Sequence, residues 1–133
     1  MLKRLLFFLI LCTLPVLAQQ GGRCPMEPLS AVINITASGD NTIIAAAATA
    51  GTPYRIKIWK FAYANKHATN AVNVILKDGS TSKTGAVIAN ALGGSWSSAC
   101  DGVPLIITAG NAFVMNLSAT ADVQGIVYYT VEP

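Results

Sequence analysis

His67 is the one histidine of the chain and stands inside the polar run YANKHATN. A serine hydrolase would need it beside a serine and an acid in a folded triad. The serine-bearing stretch Gly93-Gly94-Ser95-Trp96-Ser97 lacks the closing glycine of a nucleophile elbow. His67 therefore reads as a loop histidine with no catalytic task.

Glu27, Asp40, Asp78, Asp101, Asp122 and Glu132 are the six acids, and each stands alone in sequence. Several fall where a turn is expected, and aspartate favours turns because its side chain bonds nearby backbone. Nothing in their spacing suggests a glycosidase pair or a calcium loop of alternating acids. The glycines form neither a P-loop nor GxGxxG. No Cys-x-x-Cys or Cys/His spacing points to zinc. The expectation is a protein that is not an enzyme and carries no cofactor.

The aromatic residues offer more. Trp59, Tyr63 and Trp96 adjoin expected loops, where exposed rings could stack on a carbohydrate. Phe113 reads as core. Asn34-Ile35-Thr36 and Asn116-Leu117-Ser118 match glycosylation sequons, which matter only in a eukaryotic secretory pathway.

These residues sit on a succession of short β-type runs broken by turn residues. Ala31 to Ala37, Thr42 to Ala48, Tyr54 to Ala64, Ala71 to Lys77, Ala86 to Leu92, a run around Trp96, Val103 to Thr108, Ala112 to Leu117 and Val123 to Val131 read as strands. Val72, Val74 and Leu76 share one face, and Asp78-Gly79-Ser80 is a strong turn signal. Tyr54, Ile56 and Ile58 alternate with Arg55 and Lys57, but Trp59, Phe61 and Tyr63 hold the other parity. Either a bulge near Ile58 and Trp59 restores the inward face, or the strand is covered on both sides. Eight or nine short strands with no helix after Ala18 indicate an all-β, antiparallel sandwich or barrel.

The first residues, MLKRLLFFLILCTLPVLA, carry a basic start, an apolar run and small residues before Gln19, as a signal peptide does. The apolar run is short against the roughly 20 residues of a transmembrane helix. The expected organisation is a signal peptide at 1–18, an arm at 19–30 and one β-domain at 31–133. Without Lys3 and Arg4, seven basic residues face six acids, a net charge of +1. So small a charge offers no bulk field for nucleic acid or an anionic membrane. Cys12 leaves with the signal. In an exported chain the remaining Cys24 and Cys100 most economically form one disulfide, contributing around 4 kcal/mol through chain entropy.

Three passages carry a resemblance: SGDNTIIAAAATAGTPYRIKIWKF (Ser38 to Phe61), VILKDGSTSKTGAV (Val74 to Val87) and AGNAFVMNLSATADVQGIVYYTVE (Ala109 to Glu132). They are similar to the opening, central and closing strands of small β-sandwich domains found among bacteriophage and prophage genes, with suspected virion roles. The resemblance implies a jelly-roll-like domain, often trimeric or attached to a larger particle, and no catalytic residues. The export signal and the Cys24/Cys100 pair depart from that family's pattern and suggest an exported version.

The closing pair, expected as a hairpin, carries apolar residues on both parities: Phe113, Met115 and Leu117 against Val114, and Val127 and Tyr129 against Ile126 and Tyr128. A strand buried on both faces needs a second sheet or a partner. The expectation is an exported structural or adhesive sandwich, periplasmic, extracellular or on a virion surface, self-associating through Val114, Ile126 and Tyr128. The alternative is a glycan- or ligand-binding module using Trp59, Tyr63 and Trp96.

Overall fold

The structure, a computed structural model, describes residues 28–49, 52–93, 95–98 and 103–133. The expected signal peptide at 1–18, most of the arm, and Cys12, Cys24 and Cys100 lie outside the described residues. The expected Cys24–Cys100 disulfide therefore falls on residues outside those described.

Twelve strands are described: β1 (Leu29–Ile35), β2 (Gly39–Ile44), β3 (Ala48–Thr49), β4 (Thr52–Pro53), β5 (Arg55–Asn65), β6 (Val72–Asp78), β7 (Thr81–Ser82), β8 (Val87–Ala89), β9 (Ser95–Ser98), β10 (Leu105–Ile107), β11 (Phe113–Leu117) and β12 (Val123–Glu132). Two antiparallel sheets hold all but β3 and β4, which form a small ribbon of their own. The first sheet has the order β1-β12-β5-β10, and the second β2-β11-β6-β7. β10 pairs with Ile56 to Ile58 of β5 while β9 pairs with Phe61 to Ala64, so the two share one column. β7 and β8 share a column along β6 in the same way.

Counted by column, the chain fills eight strand positions, in the order 1-8-3-6 in one sheet and 2-7-4-5 in the other. This is the jelly-roll arrangement of two Greek keys. Most connections therefore cross between sheets. The expected closing hairpin is one such case: β11 lies in the second sheet and β12 in the first. Residues 118–122 are a bridge over the edge of the sandwich, not a tight turn. Two sheets packed about 10 Å apart need that longer link.

The core forms where alternating residues of the two sheets meet. Ile33, Ile35, Ile56, Ile58, Phe61, Ile107, Val123 and Val127 come from the first sheet, and Val72, Val74, Leu76, Phe113, Met115 and Leu117 from the second. Burying each such side chain contributes about 1.5–3 kcal/mol. β5 stays in this core along its whole length because of a bulge. Tyr129 opposes Ile58 and Tyr128 opposes Lys60, leaving Trp59 unpaired. Ile58 and Phe61 are thus both buried although three residues apart. Of the two readings of the parity switch, the bulge is the one realised.

The expected strand from Thr42 to Ala48 ends at Ile44, and the first described strand begins at Leu29, two residues before the expected Ala31. Gly79 takes a positive φ of 56° at the first turn position of the β6–β7 hairpin, as type II′ turns require.

Candidate functional site

Alternation along β1, β12 and β5 decides what the outer face of the first sheet displays. Because Ile33, Val127, Phe61 and Tyr63 point into the core, their neighbours point out. The registers align those neighbours into cross-strand rows: Asn34, Gln124 and Ala64; then Val32, Ile126 and Ala62; then Ser30, Tyr128 and Lys60. The central row is wholly apolar, and Val32 is 74% exposed. Ile126, Tyr128 and Ala62 are half-buried.

Past the bulge the face changes character. Trp59 is half-buried and donates its indole N–H to the Thr130 hydroxyl at 2.9 Å. The Lys60 ammonium stands 5.9 Å from the Tyr128 ring centre, within cation–π range. Lys57 pairs with Glu132 at 2.6 Å. At the other end, the Gln124 amide is drawn to Asp122 at 2.9 Å. Two shallow hollows, of about 250 and 280 Å³, lie on either side of Gln124 and Gly125. Val32 and Asn34 line one, and Ala62, Ala64 and Ile126 the other.

The second sheet presents a different outer surface. Asp40 accepts hydrogen bonds from Lys77 and Asn116, each at 2.5 Å. These bonds, from Lys77 first and then Asn116, hold its carboxyl below the usual range. Val114, between these polar groups on β11, is only 6% exposed.

The sequence-derived candidates therefore divide. Trp59, Ile126 and Tyr128, nominated for two different roles, come together on one face. Tyr63 is not a surface ring: it is buried on the core side, stacked on Phe61 with centroids 6.4 Å apart. Its burial pushes the phenol up to about 12. The bulge that turns Phe61 inward turns Tyr63 inward as well. The backbone of Trp96 pairs opposite Tyr63, and its side chain lies outside the described part of the structure. Val114 offers little surface to a second subunit.

His67 shapes its own loop. Its Nδ1 accepts the backbone N–H groups of Thr69 and Asn70 at 3.2 and 3.1 Å. Buried Asn65 supports that loop by donating to the carbonyls of Asn70 and Ala89 and accepting from the His67 N–H. Among the described residues, no three His, Cys, Asp or Glu side chains gather as metal ligands.

One group the sequence presented only as a turn former is more than that. Asp78 is 3% exposed. It accepts the Thr108 N–H and hydroxyl, the Asn111 amide and the Lys83 ammonium. Burial pushes its carboxyl up, and these donors together outweigh that effect and bring it to about 2. Thr108 follows a strand of the first sheet and Asn111 precedes one of the second, so Asp78 ties the two sheets at one end. Every polar contact here is internal, which marks a structural centre.

No protein-family model, curated protein or solved structure matches the chain.

Proposed function

We propose that this jelly-roll domain is an exported, non-catalytic structural or adhesive protein that associates with copies of itself or decorates a larger, virion-like particle. The observation that supports this reading is the row Val32, Ile126 and Ala62, continued by Tyr128, on the outer face of the first sheet. The opposite outer face carries the Asp40–Lys77–Asn116 cluster. An exposed apolar row rimmed by polar residues is a common mark of protein association. The similarity of three passages to phage-associated sandwich domains agrees with it.

Light scattering of the purified chain across a concentration series tests the reading. The expected result is a mass above one subunit that falls to one subunit in Val32→Lys, with an unchanged circular dichroism spectrum. A strict monomer at high concentration overturns it.

A second reading, a glycan-binding module, draws on the same face. Trp59 and Tyr128 supply rings, and Asn34 and Gln124 supply amides beside the hollows. A glycan array on which binding is lost in Trp59→Ala favours this reading, and an empty array removes it.

A further inference from the structure

Among the described residues the two main sheets present four edges, and three of them are blunted. The far edge of the first sheet is built from β9 and β10, of four and three residues. The far edge of the second is built from β7 and β8, of two and three. The near edge of the second, β2, carries Gly39 and Asp40, and its register with β11 skips Ile43. Short strands, charges and bulges are the usual protections of an edge. β1 has none of them. It is seven residues long, without charge, proline or glycine, and among the described residues it pairs in unbroken register with β12 on one side only.

The sequence of β1, Leu-Ser-Ala-Val-Ile-Asn-Ile, also has the same residue classes read in either direction about Val32. An antiparallel copy placed on this edge with a two-fold axis at Val32 would set Ser30 against Asn34, Ala31 against Ile33 and Val32 against Val32. Each outward residue would meet an outward one, and no charges would oppose. Self-complementarity of one patch is what a two-fold contact demands.

We infer that β1 is a homotypic docking edge, and that its partner is the β1 of a second copy, antiparallel and centred on Val32. The inference rests on the self-association reading above and specifies its geometry. The two first sheets become one continuous sheet of eight columns. Its outer face carries the Val32, Ile126 and Ala62 rows of both subunits side by side, and exposed Leu29 meets Ile35 of the second copy.

Cysteine cross-linking reads this register directly. Directly opposed residues have Cβ atoms about 4.5–5.5 Å apart. Mild oxidation of full-length Val32→Cys should therefore give a covalent dimer whose 32–32 link is identified by mass spectrometry of the digest. Ser30→Cys alone should give no 30–30 link, because the two positions would stand about 13 Å apart along the strands. Mixed with Asn34→Cys, it should give a 30–34 link. Association by light scattering with neither the 32–32 nor the 30–34 link overturns the edge while leaving self-association standing. A monomer throughout overturns both.

Discussion

The indole N–H of Trp59 meets the Thr130 hydroxyl at 2.9 Å at the point where the pairing of β5 with β12 skips a residue. Trp59 is the skipped residue, and the bond fixes its ring on the outer face while Ile58 and Phe61 remain in the core. Thr130→Val keeps the shape of the partner and removes the acceptor. The expected cost is about 1 kcal/mol in urea unfolding. Deleting Trp59 outright should keep the register, because Ile58, Lys60 and Phe61 then alternate in, out, in against Tyr129, Tyr128 and Val127, and a single cooperative transition is expected to survive.

Asp78 makes the domain sensitive to acid. Its carboxyl is ordinarily near 3.8 and stands at about 2 in the folded chain. The folded state therefore binds this proton less readily than the unfolded state. The stabilisation is complete above the unfolded value and is lost as pH falls from about 5 toward 2, at about 2 kcal/mol in total. Asp78→Asn should cost a similar amount at neutral pH, since an amide N–H₂ would face the donors of Thr108, Asn111 and Lys83. It should also flatten the acid limb of the stability curve. Urea midpoints between pH 2 and pH 7 check both.

The alternation in β6 and the parity switch in β5 were readable in the sequence because both are local. Val72, Val74 and Leu76 are buried together, and the bulge falls at Trp59. The same switch already implied that Tyr63 follows Phe61 inward, so its nomination as a surface ring conflicted with the bulge. Other features depend on contacts distant in sequence. β11 and β12 are five residues apart, yet they belong to opposite sheets, and apolar runs of either kind carry no label for which sheet they join. Likewise Lys83, Thr108 and Asn111 converge on Asp78 from three separate segments. Neither their spacing nor their types mark them as partners.

The Asn65 loop separates two magnitudes. Asn65 is 1% exposed and serves the carbonyls of Asn70 and Ala89 and the His67 N–H. Asn65→Ala leaves those groups without their bonds and should cost about 2–3 kcal/mol. His67→Ala frees only the N–H groups of Thr69 and Asn70, two exposed residues that water can serve, and should cost about 1 kcal/mol or less. Amide hydrogen exchange should quicken at His67, Thr69 and Asn70 in the first variant. In the second it should quicken at Thr69 and Asn70 alone.

Gly125 and Gly85 should answer the same substitution in opposite ways. Gly125 sits in β12 opposite Tyr63, where β5 passes so close that an added Cβ would lie 2.0 Å from the Ala62 carbonyl oxygen and 2.8 Å from Tyr63 Cα. Both are backbone atoms of the longest strand, so neither can turn aside as a flexible side chain would. Gly125→Ala must push β12 off β5 and with it β1, which pairs on the other side of β12. A loss of about 3 kcal/mol or more is expected, the range of strained or overpacked sites. At Gly85 an added Cβ meets nothing within 4 Å and φ is not positive. Gly85→Ala restricts the unfolded chain without straining the folded one, so it should stabilise by about 0.4–1 kcal/mol. Thermal melts of the two variants should move in opposite directions from the parent. A mild effect at Gly125 would mean that β5 and β12 approach less closely than described.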